Sequence, residues 1–535
     1  MDPELAMNFP SESAGPGGSL VLALLLGVSG CSGIAAEDQS GFGDEVGDEY
    51  GDGDGDTTGQ NGTDSGTDSG TDGGTDTGTS DSGPEEGLAD ARLVTAACDP
   101  EQGSVIDYGL AEAHAEIAAE LVRESVMSHA SVPLIPLSTR PFFNHFHFEY
   151  PAATEATLAI TGEIWKPQAM LEVSSPRYQL QFAISGPALL DEQRPPLDLA
   201  IVVDIGPSMV GEPLVLANEA LAAVAESLRG GDRITLISAG DQAELLSSMV
   251  VADGLVPSLP NMLAEVVPAG SAVIDEGLAL AYEQLEQLGE LEPLPAAQAR
   301  VMLISAGHFS ADSALFELVD SWAELGVTLT EVGVGTLDQF AESSLRSLAE
   351  VGKGASVYGP NADQLWLGLG DDFTAKMIAS ASEVEVTLVL PPGLAISERD
   401  PSWGGEDSAM VEHALLGPND SLVFHHELTA CGEFDPEAAI RVEVRWQEPG
   451  LADAQELVWE QPVAELGYGS SATRKGAAVL AYTSALITYR DRLGVDARYG
   501  ALLDALGRIS DALESMPEDP DLIEMSEVLA KLEST

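Results

Sequence analysis

The sequence predicts an α/β protein whose central domain, residues 196–370, is a doubly wound, mostly parallel sheet. Short apolar runs alternate there with amphipathic stretches of helical periodicity, which is typical of strands joined by crossover helices. The first run ends in Asp204, with Ser208 shortly after it, so oxygen ligands stand where open α/β sheets bind ligands. Beyond residue 371, turns rich in Gly, Pro and Asp separate alternating segments and predict antiparallel β structure.

The elements of the central domain follow from these periodicities. Parallel strands are predicted at residues 197–204, 233–239, 300–306, 327–335 and 355–359. Helices are predicted at residues 212–228, 272–288, 313–325 and 337–351. Residues 245–251 predict a short antiparallel strand after the second parallel strand, so the sheet is expected to be mostly rather than wholly parallel.

A β-rich flanking domain, residues 93–195, is predicted before the central domain. The alternation in 146–150 within an aromatic segment predicts a half-buried strand. His145 and His147 would share one face of such a strand, but no third ligand stands at a metal-binding spacing, so packing and surface roles are favoured for both. The other elements of this flank are a helix and a strand, predicted at 111–127 and 177–185.

Two further modules are predicted after the central domain: a β-sandwich-like module at residues 371–468 and a helical segment at 469–535. The strands of the sandwich are predicted at 383–389, 410–415, 421–428, 439–446 and 457–463. In the last segment charged and apolar residues recur at helical spacing, which predicts two or three amphipathic helices that pack against the body.

The N-terminus has the pattern of an export signal. A short apolar core at 20–28 leads into Val28-Ser29-Gly30-Cys31, which resembles a bacterial lipobox, and residues 1–31 are therefore predicted to be a lipoprotein signal peptide lipidated at Cys31. No Lys or Arg precedes the apolar core, so a fortuitous cysteine is the alternative. The prediction places the protein in the cell envelope, with a lipid anchor in the outer membrane as its contact with the membrane, on the periplasmic or the surface side.

Residues 32–92 predict a disordered acidic linker. They consist mostly of Gly, Asp, Thr and Ser, with a repeated Gly-Thr-Asp tetrad at 62–77, and so little apolar surface cannot offset the entropy of ordering. The whole chain carries 89 acidic against 22 basic residues, a formal net charge of −67. This charge excludes nucleic acid as a partner. It favours solubility in a salty medium, with calcium buffering as the minor alternative.

The remaining cysteines, Cys98 and Cys431, stand on either side of the central domain. In an exported protein a leftover pair of cysteines predicts a disulfide. Two separate buried thiols are the alternative.

Motifs in the central domain and its flanks resemble a known family. Residues 197–209, the Gly277-Leu278 pair and residues 326–335 resemble, in order, a von Willebrand factor A domain, whose fold is Rossmann-like. Residues 144–151 are similar to a segment upstream of that domain in a family of bacterial lipoproteins with a C-terminal β plus helical domain. The resemblance covers residues 133 to the end and implies protein binding through a metal-ion-dependent adhesion site that holds magnesium.

The site that this resemblance implies has lost much of its ligand set. Asp204 and Ser208 match the first loop of the family, but Gly206 stands where the family has Ser. Ala272 replaces the Thr of the second loop, and Ala306 replaces the Asp of the third. Because magnesium requires near-octahedral oxygen ligands, we predict no firm metal site and no cofactor.

Two alternatives remain open for these loops. Ser271 or Asp275 can compensate for the lost ligands and rebuild a magnesium site. Otherwise Ser208 caps the following helix and Asp204 accepts hydrogen bonds from loop amides.

The sequence contains no nucleophile elbow, phosphate loop or zinc-protease motif. His425 and His426 are adjacent in a predicted strand and so point to opposite faces. We therefore expect a protein that is not an enzyme: an envelope lipoprotein that binds or scaffolds an envelope or extracellular protein, independently of metal. The alternatives are a metal-dependent adhesin with a rebuilt site, and a hydrolase.

Overall fold

The structure is a computed structural model that describes residues 101–108, 115–135, 137–154, 156–166, 177–263, 266–291, 298–397, 415–431, 435–449, 453–466 and 469–534. The predicted signal peptide 1–31, its Cys31, the linker 32–92 and Cys98 lie outside these residues. Most of the strand predicted at 410–415 lies outside them as well. No helix among the described residues is long and apolar enough to cross a membrane.

The elements are numbered in chain order. The strands are β1 Ser104–Tyr108, β2 Ala159–Trp165, β3 Arg177–Ser185, β4 Asp198–Asp204, β5 Arg233–Ala239, β6 Ala243–Val250, β7 Ala299–Ser305, β8 Thr328–Val334, β9 Lys353–Gly359, β10 Ser382–Leu390, β11 Leu394–Ile396, β12 Ser421–Ala430, β13 Ala439–Gln447 and β14 Gln455–Pro462. The helices are α1 Ala115–His129, α2 Arg140–His145, α3 Glu212–Ser227, α4 Leu259–Leu263, α5 Ile274–Leu291, α6 Ser313–Ala323, α7 Glu342–Gly352, α8 Ala362–Trp366, α9 Phe373–Met377, α10 Ser471–Arg490, α11 Val495–Leu513 and α12 Pro520–Glu533.

The central sheet has six strands in the order β6-β5-β4-β7-β8-β9. All neighbours pair in parallel except β6, which is antiparallel to β5. Every residue of β4 is buried, because α3 packs on one face of the sheet and α5 on the other. The predicted doubly wound, mostly parallel sheet is confirmed, including its antiparallel strand.

The flanks form two antiparallel four-stranded sheets, with the strand orders β1-β10-β13-β14 and β11-β12-β3-β2. Their inner faces share one apolar core, in which the rings of Phe182 and Phe424 stack with centroids 4.8 Å apart. Both sheets combine strands from before and after the central domain. The expected separate flanking modules, residues 93–195 and 371–468, are thus corrected to one sandwich, since neither set of strands buries its apolar face alone.

The central domain is inserted between β3 and β10 of this sandwich, and its two connections are fastened together. Arg194, on the incoming connection, donates to both carboxylate oxygens of Asp232 at 3.1 and 2.7 Å and lies over the ring of Phe373 on the outgoing one. Thr374 also donates to Asp191 across the two connections. These contacts lie at the amino edge of the six-stranded sheet and leave its carboxyl edge to the candidate site.

The C-terminal helices α10, α11 and α12 pack with α1 and α2 in a separate apolar cluster that covers Ala183 and Val423 of the sandwich. The Nζ of Lys475, almost fully buried, donates to Asp519 at 2.8 Å and to Asp521 at 2.6 Å. This cation joins α10 to the start of α12. Because both partners are acidic, its removal would leave two carboxylates facing each other.

The aromatic segment before β2 differs from its prediction. Helix α2 begins with Pro141 in its first turn, a position that favours helix starts, and 146–150 continue as unpaired chain. Phe146 and Phe148 are buried against the helices rather than against a strand. His147 is exposed, while burial lowers the pKa of His145 to about 4, and in the described part of the chain no three His, Cys, Asp or Glu residues are grouped to hold a metal.

Candidate functional site

Asp204 occupies the tip of β4 and is fully buried. Its Oδ1 accepts a hydrogen bond from the backbone N–H of Gly206 at 2.7 Å, and its Oδ2 accepts one from the hydroxyl of Ser305 at 2.7 Å. The Ser305 Oγ in turn accepts from the N–H of Gly307 at 2.9 Å. Protein donors therefore engage both carboxylate oxygens that would face a cation.

Burial also sets the electrostatics of this carboxylate. Removal from water raises the pKa of Asp204 above its ordinary value, while the hydrogen bonds from Ser305 and Gly206 and the nearby His308 oppose that rise. The direction shows that burial outweighs the stabilising contacts.

The second loop fills the space beside Gly206. A Cβ at position 206 would lie 2.9 Å from the Cβ of Ala272 and 3.0 Å from the Oδ1 of Asp204. These distances are shorter than van der Waals contact, so a serine at position 206 does not fit without movement of the loop. Ser271 and Asp275, the two residues considered as replacement ligands, are both exposed. The backbone N–H of Ser271 donates to Asp241 at 3.2 Å.

Ser208 is half-buried in a short 3-10 turn, Pro207–Met209. Helix α3 begins only after Gly211, which has a φ of +91° and provides no side-chain cap. The expectation that Ser208 caps this helix is therefore wrong. Met209, Val210 and Gly211 separate Ser208 from the helix start at Glu212.

The loop after β7, which corresponds to the third loop of the family's site, is bonded to the loop after β8. Ala306 is buried, and its carbonyl accepts from the N–H of Ala341 at 2.9 Å. His308 Nε2 lies 2.8 Å from the carbonyl oxygen of Gln339. The loops after β7 and β8 thus hold each other where the family would place an outer-sphere carboxylate.

These residues do not fit a magnesium ion. Magnesium takes near-octahedral oxygen ligands at roughly 2.0–2.1 Å, whereas Gly206, Ala272 and Ala306 bring no side-chain oxygen. Both oxygens of Asp204 are already hydrogen-bonded. Ser208 is the remaining hydroxyl of the family's first-loop pattern, and one hydroxyl leaves most of the coordination shell to water.

Sequence reasoning overlooked Ser305. The comparison with the family concerned the lost carboxylate at Ala306, but Ser305 provides the hydroxyl that bonds Asp204. The register offers a signal, because Val203 of β4 lies beside Ile304 of β7 and the next residues on the two parallel strands are Asp204 and Ser305.

The other predicted residues lie away from this loop cluster. Cys431 is disulfide-bonded, but its proposed partner Cys98 is outside the described residues, so the pairing stays a prediction. His425 bonds to Gln181 on one face of β12, and His426 bonds to Tyr108 on the other.

No family model and no curated protein matches this chain. Among solved structures, the chain is similar to the ArnB paralog VWA2 of Sulfolobus acidocaldarius, at 14% identity and a TM-score of 0.37, over 70% of this chain and 98% of that one. It is also similar to a von Willebrand factor type A protein from Catenulispora acidiphila, at 13% identity and a TM-score of 0.38, over 67% and 87% of the two chains. Likeness this distant assigns no activity. The chain itself is a mixed α/β protein whose six-stranded, mostly parallel sheet carries a closed, internally hydrogen-bonded loop cluster at its carboxyl edge.

Proposed function

We propose that residues 196–370 form a von Willebrand factor A-type domain that binds other proteins of the cell envelope without a bridging metal ion. The observation that carries this proposal is the hydrogen bonding of Asp204, whose two carboxylate oxygens accept from the Gly206 N–H and the Ser305 hydroxyl. A carboxylate used in this way supports a structural role for the loop. The role proposed is binding or scaffolding, not catalysis.

The proposed family rests on the order of the sequence motifs and on the arrangement of the sheet. The Asp204–Met209 loop follows the central strand β4, and the antiparallel β6 stands at the edge next to β5. The fold leaves the loops after β4, β7 and β8 together at one edge, which is where open α/β sheets bind ligands.

The proposed location is the outer membrane, through a lipid on Cys31 and the acidic linker 32–92. Incorporation of radiolabelled palmitate into the full chain, and its loss in Cys31→Ser, would support the anchor. An unlabelled parent chain would contradict it.

Metal-independent binding is tested by affinity capture from solubilised envelopes of the source organism, with the full chain as bait in EDTA and in MgCl2. The proposal predicts the same captured proteins in equal yield under both conditions, because no ion bridges the contact. A partner retained only in magnesium, and lost with Asp204→Ala bait, would contradict it. Ala variants of exposed residues on the opposite, amino edge provide the matched control.

A further inference from the structure

The strand β6 is the outer strand of the central sheet. Among the described residues it pairs with β5 alone, and no other backbone hydrogen bond is made by residues 243–250 outside that pairing. The opposite edge differs, because Ile117 and Leu121 of α1 pack against Tyr358 of β9. The two edges of one sheet are thus unequal: one is covered and the other is open.

The open edge lacks most of the features that protect natural edge strands. Such strands usually carry Lys or Pro, or bulges that break the ladder. The β6 sequence contains neither Lys nor Pro, and its one irregularity is a bulge where Ser247 and Leu245 face consecutive residues of β5. An open edge of eight residues, protected by this single bulge, is a template for a further strand.

Exposed apolar side chains follow this edge. Leu245 is 45% and Val250 63% exposed, and both lie on one face of the sheet, since they pair with Ile237 and Arg233 of β5. In the chain just after β6, Leu255 and Val256 are exposed as well. Exposed apolar side chains on an open edge strand favour protein contact there.

The charged residues of the segment that leads from β5 through β6 to β7 are all acidic. No Lys or Arg occurs between Arg233 and Arg300, and Arg233 itself is buried in an ion pair with Asp198. Glu244 is exposed and pairs with Ser238, so it lies on the face opposite Leu245. The exposed Asp241 and Asp253 stand just before and just after the strand.

We propose that β6 binds an extended segment of a partner protein as a seventh strand, and that this segment alternates apolar and basic residues. Successive residues of a strand point to opposite faces, so the apolar residues of the segment would lie beside Leu245 and Val250. Its Lys or Arg residues would lie on the face of Glu244. Main-chain hydrogen bonds to the open edge provide affinity, and the alternation provides specificity.

A second copy of this chain is the disfavoured occupant. It would bring another acidic edge, and the chain already carries a formal net charge of −67, so self-association works against charge repulsion. The proposed surface is separate from the loop of Asp204. A failure of peptide binding at β6 therefore does not bear on the proposal that the Asp204 loop works without metal, and the reverse is also true.

The test is fluorescence anisotropy of the full chain with labelled peptides of about ten residues. The probe alternates Val and Lys; the controls alternate Val and Glu, or keep the Lys residues but replace alternate Val residues by Pro, which cannot join a strand. We expect saturable binding of the probe and at least about tenfold weaker binding of both controls. Equal binding of the proline peptide would overturn the proposal, because charge alone would then explain the contact.

Variants locate the site. Leu245→Lys and Val250→Lys each place a cation at the edge. We expect each variant to weaken binding of the probe peptide by about tenfold or more. The matched control, Leu325→Lys, alters a leucine that is 65% exposed beyond α6 and should leave affinity within about twofold. Equal losses of affinity in all three variants would overturn the proposal. A dimer of the chain in analytical sedimentation that Leu245→Lys abolishes would also overturn it, because a second copy would then occupy the edge.

Discussion

Replacing Asp204 by Asn and by Ala separates an internal hydrogen-bonding role from a cation-binding role. In the wild-type chain the carboxylate accepts two hydrogen bonds of 2.7 Å, from the Gly206 amide and the Ser305 hydroxyl. An asparagine keeps one oxygen for Gly206, and its NH2 group can donate to the second lone pair of the Ser305 oxygen. An alanine keeps neither contact.

The magnitudes follow from these contacts. A hydrogen bond to a charged group contributes about 1.5–3 kcal/mol, and a buried donor left unpaired costs about 1–3 kcal/mol. We therefore expect Asp204→Ala to lower the free energy of unfolding by about 2–4 kcal/mol, because the buried Gly206 N–H loses its acceptor. The Asn variant should stay within about 1 kcal/mol of wild type, since it makes both bonds as a neutral group.

Urea unfolding of the full chain, followed by circular dichroism in EDTA and in MgCl2, measures these differences. Ser305→Ala is the control that removes one contact and leaves the carboxylate in place. Its free energy of unfolding should therefore lie between those of the two Asp204 variants. Equal losses in Asp204→Asn and Asp204→Ala would refute the internal hydrogen-bonding role of Asp204. A loss that appears only in the presence of magnesium would refute it as well.

Comparison of the wild-type chain with Asp204→Asn gives a pH dependence of stability whose sign is known. Burial raises the pKa of Asp204 above 3.8 in the folded chain, so the folded state holds its proton more tightly than the unfolded state does. The resulting stabilisation is complete below pH 3.8 and is lost as the pH rises through the raised, folded-state pKa. The wild-type chain should therefore lose stability relative to Asp204→Asn across that window, and a difference that grows in the opposite direction would contradict the assignment.

Three further outcomes are expected. Gly206→Ser should lower stability by about 1–3 kcal/mol because its side chain overlaps Ala272, and Ala272→Gly in the same chain should recover most of the loss in urea titrations. Lys475→Met should lower the free energy of unfolding by about 1.5–3 kcal/mol at neutral pH, because two half-buried carboxylates lose their charged hydrogen-bond donor; unchanged stability would contradict the role of Lys475 in joining α10 to α12. A Cys98–Cys431 disulfide predicts faster migration on non-reducing gels, and unchanged mobility would count against it.

The central sheet could be predicted because its signals are local. Continuous apolar runs such as 197–203 suit strands buried on both faces, and the antiparallel β6 was visible as a separate short run. The sandwich could not be predicted in the same way. Its pairings join β1 to β10 and β3 to β12 across the whole inserted domain, and alternation within one strand does not name its partner.

The sequence predicts which metal ligands the candidate site lacks, but not the hydrogen bonds that take their place. The absence of ligands at Gly206, Ala272 and Ala306 is legible from residue identity alone. The contact between Asp204 and Ser305, however, depends on two strands lying side by side. The close approach of Ala272 to Gly206 likewise depends on how a separate loop packs, which no spacing within the first loop reveals.

The most direct test of the central claim is calorimetric titration of the full chain with Mg2+ and Mn2+, beside the same titration of Asp204→Ala. If the Asp204 carboxylate serves the loop and not a cation, the two chains should release the same heat, with no saturable component that differs between them. A one-site binding curve in the micromolar range that appears in the wild-type chain and vanishes in Asp204→Ala would contradict the account.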